Sequence, residues 1–302
     1  MNPDIYHYHG VGPSLVAWLP RLLRPRARVI TTFHCIDRKH QKWGLLARIV
    51  LRIGEWASCR LPHRTIAVSR TLEEYCREVY ETETSYIPNG VAAPARADTT
   101  LIKRFGLAPH RYIAMVSRLV RHKGAHHLIE AWNRLQVESP LKIDGIKLVI
   151  VGDSAFTDDY VAELKRRAAG DPSIVFTGYQ SGAMLDALFA NARFIVHPSE
   201  SEGLPIAVLE AMSYGKTVLA SDIPENMEVI ASYGVPFRSG DAHDLKNKIG
   251  ELVTAPGRLE ELGAAGKEFV LTHYHWDDIA LQVEKLYHGL RSDVVAHETV
   301  QA

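Results

Sequence analysis

Residues 197–212 read HPSESEGLPIAVLEAM, and the construction of this stretch decides the fold. It closes an apolar run, residues 194–197, that has the length of a buried strand. A loop of serine, glutamate and glycine follows. Pro205 then stands at the expected first helical position, where its missing N–H is no loss. The helix is expected over 205–214, with Gly215 as a left-handed cap and TVLAS as the next strand. Strand, polar loop, helix and strand make one parallel βαβ step, whose ligand-facing loop lies at the strand's carboxyl end. Two carboxylates bracket the helix start: Glu202 in the loop and Glu210 in the second helical turn, with seven residues between them. Free backbone N–H groups at a helix start suit a diphosphate. Carboxylates repel phosphate but accept hydrogen bonds from sugar hydroxyls. Two acids at such a spacing are by themselves more often a solvated surface, so the rest of the chain has to decide.

The same alternation runs through the whole chain, which predicts α/β architecture built on parallel sheets. In the first part strands are expected at 5–9, 28–34, 65–68 and 85–87, with helices at 13–23, 41–59 and 72–80. IPNGVAAPARADTT, residues 87–100, has no hydrophobic period and reads as an interdomain linker. Strands resume at 112–116, 147–151, 173–177, 194–197, 217–220 and 235–237. Helices fall at 124–135, 158–169, 183–190, 205–214, 242–253 and 256–273, and a last helix spans 276–290 before a frayed tail. The expectation is two Rossmann-like doubly wound domains, residues 1–92 and 93–275, the first with too few strands to be complete.

Formal net charge is zero over 302 residues, so whole-chain charge names no partner, and nucleic acid is not expected as one. Three cysteines without C-x-x-C spacing argue for a reducing compartment and against a disulfide framework or zinc site. No run of eighteen apolar residues and no signal-like start are present, which predicts a soluble, cytoplasmic chain. The charge is unevenly spread. Residues 1–64 hold eleven basic side chains against Asp4, Asp37 and Glu55, a net +8. Within them Trp43, Leu45, Leu46, Ile49, Val50 and Ile53 recur at helical spacing. Two readings stand level: a solvated basic face over ordinary core, or a peripheral surface for anionic phospholipid or a phosphate-bearing acceptor at the inner face of the membrane.

Three further constellations lie at strand ends. VSRLVRHKGAHH (116–127) puts Arg118 and Lys123 in a strand-to-helix loop, where two cations grip a diphosphate. His122, His126 and His127 follow, but no acid or cysteine joins them at ligand spacing, so they read as surface histidines and no metal is expected. TTFHCIDRK (31–39) ends a strand at His34, with Lys39 five residues on. HYHGVG (7–12) alternates His7 and His9 on a strand before an incomplete glycine fingerprint.

Taken in order, these motifs resemble family-4 glycosyltransferases, retaining enzymes of the GT-B fold. HPSESEGLPIAVLEAM resembles their E-x7-E signature, YIPNGV (86–91) their interdomain linker, and VSRLVRHKG their phosphate-binding arginine and lysine. LVIVGDS (148–154) resembles the next strand and loop, though with GDS where the family often has G-x-G; FTGY (176–179) resembles the nucleobase-side strand end. HYHWDDIALQVEKLY (273–287) resembles the helix that crosses back to the first domain, here 276–290, leaving 291–302 as tail. The resemblance implies that Arg118 and Lys123 bind the donor diphosphate, with Gly152 and Gly178 in the same site. It implies that Glu202, Gly203 and Leu204 meet the sugar and phosphate, and that Glu210 binds the ribose. His34 matches the sugar-site histidine, with Lys39 and His9 on the acceptor side. His34, Glu202, Arg118 and Lys123 are thus the implied catalytic set. No metal or other cofactor is implied, and the donor is a UDP-, GDP- or similar nucleotide sugar.

The implied reaction moves a hexosyl-type sugar to a glycan or lipid-linked acceptor with retention, as in envelope polysaccharide assembly. Family members carry a strand and glycine-rich loop ahead of anything matching IYHYHG. The expectation is therefore that the acceptor domain lacks its front part, supplied upstream or by a partner chain. The alternatives are a nucleotide-sugar-binding protein without turnover and another GT-B enzyme such as a sugar epimerase.

Overall fold

The computed structural model describes residues 3–39 and 44–301, without the side chains of Lys39 and 292–301. The chain divides into two compact units, one formed by 1–90 with 276–302 and the other by 91–275.

In the first unit β1 (Ile5–His9), β2 (Arg28–Phe33), β3 (Arg64–Ala67) and β4 (Ser85–Tyr86) form a parallel sheet in sequence order. Their connections carry α1 (Val11–Ser14), α2 (Trp18–Leu23), α3 (Leu45–Arg60) and α4 (Arg70–Tyr80). The segment 13–23, expected as one helix, is two short ones. Turn hydrogen bonds from Leu15 N to Gly12 O and from Val16 N to Pro13 O close the first. Pro20 then sits in the first turn of α2, where its lacking N–H leaves no bond unmade. The expected start of α3 at residue 41, and Trp43 with it, lie outside the described residues. α4 begins where Ser69 accepts from Leu72 N at 3.2 Å and ends at a left-handed Glu81. Cys59 and Cys76, distant in sequence, meet between α3 and α4 with sulfurs 3.6 Å apart as free thiols.

Ile30, Ile66 and Ile87 make the core of this unit with Ile279 and Leu290 of the C-terminal helix, Trp276–Gln301. That helix runs on to Gln301, where the sequence led to a frayed tail from 291.

The second unit holds β5 (Tyr112–Val116), α5 (Ala125–Glu138), β6 (Lys147–Val151), α6 (Asp158–Arg167) and β7 (Ile174–Gly178). α7 (Gly182–Asn191), β8 (Ile195–His197), α8 (Ile206–Ser213), β9 (Val218–Ser221) and α9 (Pro224–Ile230) follow, then β10 (Val235–Phe237), α10 (Ala242–Leu252) and α11 (Pro256–His273). The strands are parallel in the order β10-β9-β8-β5-β6-β7, a doubly wound sheet. Strands such as LVIV at 148–151 are apolar on both faces because helices cover both, and Leu148, Val149 and Ile150 are wholly buried. Fully buried Trp132 of α5 anchors the core, its indole N–H donating to Ser173 Oγ at 2.9 Å.

Pro205 differs from expectation. It is extended, at φ −77° and ψ 92°, and caps α8 instead of opening it; its carbonyl accepts from Val208 N at 3.0 Å. Gly215 does take the left-handed conformation just after the helix, at φ 69°. Among the described residues, no helix is long and apolar enough to cross a membrane.

Candidate functional site

The second sheet has its topological switch between β5 and β8, strands adjacent in space but with β6 and β7 between them in sequence. The crevice at the carboxyl ends of such a strand pair is where doubly wound sheets hold ligands. Two loops shape it, 117–124 after β5 and 198–205 after β8. They are tied together: Glu200 N donates to His122 O at 2.7 Å and Ser199 Oγ to the same oxygen at 3.2 Å. Gly124, at φ 73°, permits this approach, because a Cβ there would run into Pro198 O.

This arrangement brings Glu202, Lys123 and His197 together. The Glu202 side chain is only 7% exposed, and its Oε1 pairs closely with Lys123 Nζ while lying 2.8 Å from His197 Nε2. A carboxylate acceptor assigns the proton on that nitrogen to histidine. Burial alone would push the Glu202 carboxyl up; the Lys123 ammonium and the His197 ring overcome it and hold the group well below the usual carboxylate range. Glu202 is therefore an anion fixed in place. Lys123 is fixed with it, although an ammonium has three donors and this pair uses one. Arg118 is exposed, and among the described residues nothing engages its guanidinium.

Arg118, Lys123, His197, Glu202 and Leu204 line a cavity of about 210 Å³ together with Ile206 and Ala207, the first residues of α8. Arg118 also lines a neighbouring cavity of about 450 Å³, bounded by Gly152, Asp153, Tyr179 and Gln180 at the ends of β6 and β7. Gly152, at φ 138°, has Ser117 O where a Cβ would stand, so the β5 and β6 loops meet only because that position is glycine. Gly178 closes β7, and Gly203 lies buried in the β8–α8 loop. Neither these two glycines nor Glu210 line the two cavities. Glu210 is half-buried on α8, and burial, with Asp186 nearby, raises its carboxyl above the ordinary value. Tyr214 donates its hydroxyl to Asp186 Oδ1 at 2.8 Å.

Within the first unit His9 and His34 sit at the ends of β1 and β2, with His9 Nδ1 and His34 Nε2 3.1 Å apart. Burial, and then His9, lower His34, against the opposing pull of Asp37. His7 is fastened between Thr32 Oγ1 at 2.7 Å and the Tyr287 hydroxyl at 2.6 Å. Lys39 ends a short 3-10 turn, Asp37–Lys39, and its side chain lies outside the described residues. Its neighbour Arg38 is held by buried Glu55, whose Oε2 also accepts from Tyr75 and Tyr80.

Two features escaped the sequence. The sequence marks His197 only as a strand end, and no local pattern ties it to Glu202. The reading of His122, His126 and His127 as histidines without an acid is also corrected: Glu200, from the β8–α8 loop, lies 2.7 Å from His127 Nε2.

Residues 99–269 match the family model described as "Glycosyl transferases group 1", and residues 1–93 match "Glycosyltransferase Family 4". The MMP alpha-(1->4)-mannosyltransferase of Mycolicibacterium hassiacum is 32% identical over 209 residues, 67% of this chain and 49% of that protein. The GDP-mannose-dependent alpha-(1-6)-phosphatidylinositol monomannoside mannosyltransferase of Mycobacterium tuberculosis is 27% identical over 292 residues, 89% of this chain and 73% of that protein. The chain thus spans about half the length of the first of these relatives. HepE of Anabaena, solved in complex with UDP and glucose, superposes with a TM-score of 0.82 over 95% of this chain and 78% of that one; at 20% identity this is a likeness of fold, and both are GT-B folds. With one family model covering 99–269 and the Arg118, Lys123 and Glu202 loops inside it, the chain belongs to the glycosyl transferases group 1 family.

Proposed function

We propose that this chain transfers a sugar from a nucleotide-sugar donor to a hydroxyl of a glycan or lipid-linked acceptor, with retention. The observation that carries the reading is the pairing of an uncommitted arginine with a fixed Lys123–Glu202 pair at the switch point of the second sheet. The donor's diphosphate lies against Arg118, the remaining donors of Lys123 and the first N–H groups of α8. The sugar faces Glu202; both recorded contacts fall on Oε1, which leaves Oε2 for a hydroxyl. As the bond from the anomeric carbon to the diphosphate oxygen breaks, the cations meet the growing charge. The acceptor oxygen attacks from the same face, its proton passes to the departing diphosphate, and configuration is kept.

The GDP-mannose dependence of one relative and the UDP held by HepE support a nucleotide-sugar donor and leave both bases to be assayed. Arg118→Ala is expected to weaken binding of UDP or GDP by about 1.5–3 kcal/mol, on the order of 10- to 150-fold, in calorimetry. Unchanged affinity would remove Arg118 from the site. Glu202→Gln is expected to cut turnover by about tenfold or more while free nucleotide still binds. Equal loss of both contradicts a sugar contact, and nucleotide binding without transfer by the unaltered chain assigns a binding protein instead.

The acceptor side is proposed to meet an anionic phospholipid surface through α3. That helix exposes Leu45, Leu46, Ile49, Val50, Ile53 and Trp56 with Arg48 and Arg52 between them, apolar bodies for the acyl boundary and cations for the headgroups.

A further inference from the structure

The loop that carries Glu202 has a second fastening that the proposed transfer does not use. His126 and His127 open α5, and Glu200 stands on the β8–α8 loop two residues before Glu202. The two imidazole rings lie 4.0 Å apart between centroids, and His127 Nε2 is 2.7 Å from Glu200 Oε1. One ligand atom from each of the three falls within 4.8 Å of the others. A histidine–carboxylate pair by itself is explained as a hydrogen bond. A second imidazole beside the pair is not, since His126 spends Nδ1 on Tyr160 and makes no hydrogen bond to the Glu200 carboxylate.

We infer that His126, His127 and Glu200 form a binding site for a divalent transition-metal ion of the zinc class, separate from Arg118, Lys123 and Glu202. Two imidazole nitrogens and one carboxylate oxygen make a borderline donor set, suited to zinc and not to a soft, thiolate-seeking ion. Three protein ligands leave a fourth position for water. Tetrahedral metal bonds of about 2.0–2.2 Å set ligand atoms roughly 3.3–3.6 Å apart, so the His127–Glu200 contact of 2.7 Å must open a little and the wider separations, up to 4.8 Å, must close by about 1 Å. The side chains have the freedom for it, with His127 17% and Glu200 33% exposed. His126 is oriented from behind by the Tyr160 hydroxyl, 2.8 Å from its Nδ1, as outer partners orient metal-binding imidazoles. Arg121, stacked on Tyr160, is ion-paired with Glu163, which Arg167 shares.

An ion held here joins the first turn of α5 to the β8–α8 loop, and so sets where Glu202 stands relative to Lys123. The inference rests on the geometry of these three residues and holds whether or not the transfer reaction does.

The test uses the untagged full chain, stripped with chelator and titrated with Zn2+ by calorimetry and with Co2+ by visible absorption. One equivalent is expected, with the intense d–d bands of a four-coordinate Co2+ site. Affinity should fall by about tenfold or more in His127→Ala and in Glu200→Gln, and stay unchanged in His288→Ala, which lies in the other unit. Zn2+ should raise Tm of the unaltered chain and of His288→Ala only. Glu200→Gln keeps an acceptor for His127, so it removes the ligand charge without unfastening the loop. It therefore decides the matter if His127→Ala does not fold. No bound equivalent at micromolar Zn2+, or an equivalent that survives Glu200→Gln, overturns the inference.

Discussion

At the scale of single residues, the site depends on a few positions where backbone must come close. Gly152 is the sharpest case, since both its φ of 138° and the Ser117 carbonyl beside it exclude a side chain. Gly152→Ala is expected to cost about 2–4 kcal/mol of stability from strain and forced displacement. It should also weaken nucleotide binding, because the 117–124 loop that carries Arg118 must move. A urea midpoint and a nucleotide affinity both unchanged would show that the loop gives way freely. Glu202 follows the opposite logic. Its carboxylate tolerates burial only because Lys123 and His197 meet it, so the three act as one group.

At the scale of elements, strand ends were legible and strand order was not. β5, β6 and β10 have the bounds that apolar runs between turn residues predict, and α11 likewise. α9 was missed because PENMEVI is seven residues long and carries no repeating apolar stripe. Arg118, Lys123 and Glu202 could each be placed at a strand end from sequence. That β5 and β8 are neighbours comes only from long-range pairing, and with it came Lys123 on Glu202 and His127 on Glu200, whereas His197 meets Glu202 within the β8 end and its own loop. The level readings of the basic first segment divide at α3. Its exposed apolar face, with Leu45 79% and Leu46 76% exposed, is not ordinary core. Replacing Ile49 and Ile53 together by Glu is expected to abolish sedimentation with anionic vesicles and leave nucleotide affinity unchanged. Retained sedimentation would exclude α3 as the docking face.

At the scale of the whole molecule, histidines set the acid limit. Burial lowers His7 to about 4, with His9 and His34 adding to it; Thr32 and Tyr287 hold its two ring nitrogens. Burial, Arg21 and Arg28 likewise lower His63 to about 4, and Val29 N donates to its Nδ1 at 2.9 Å, which needs that nitrogen unprotonated. Both bind a proton more readily when unfolded, at about pH 6.5. Their contribution is complete above that pH and is lost as pH falls toward 4. Glu202, depressed below its ordinary value of 4.5, keeps its contribution through most of that window and loses it progressively in stronger acid. The urea midpoint should therefore decline between pH 6.5 and 4, and His7→Gln should flatten part of that slope. A midpoint constant over this range would count against buried neutral histidines.

The division into units has a consequence for how the molecule can be taken apart. Residues 91–275 are one uninterrupted segment whose ends touch, Val91 N donating to Tyr274 O at 2.7 Å. The segment is a cassette spliced into its host: it can be lifted out at a single seam. Expressed alone, 91–275 is expected to unfold cooperatively and to bind nucleoside diphosphate as the full chain does, with Arg118→Ala weakening both alike. The host can be closed in turn, since Gly90 already packs against Trp276 and a linker of a few residues bridges the cut. The proposed donor site and the proposed acceptor side can then be assayed as separate parts.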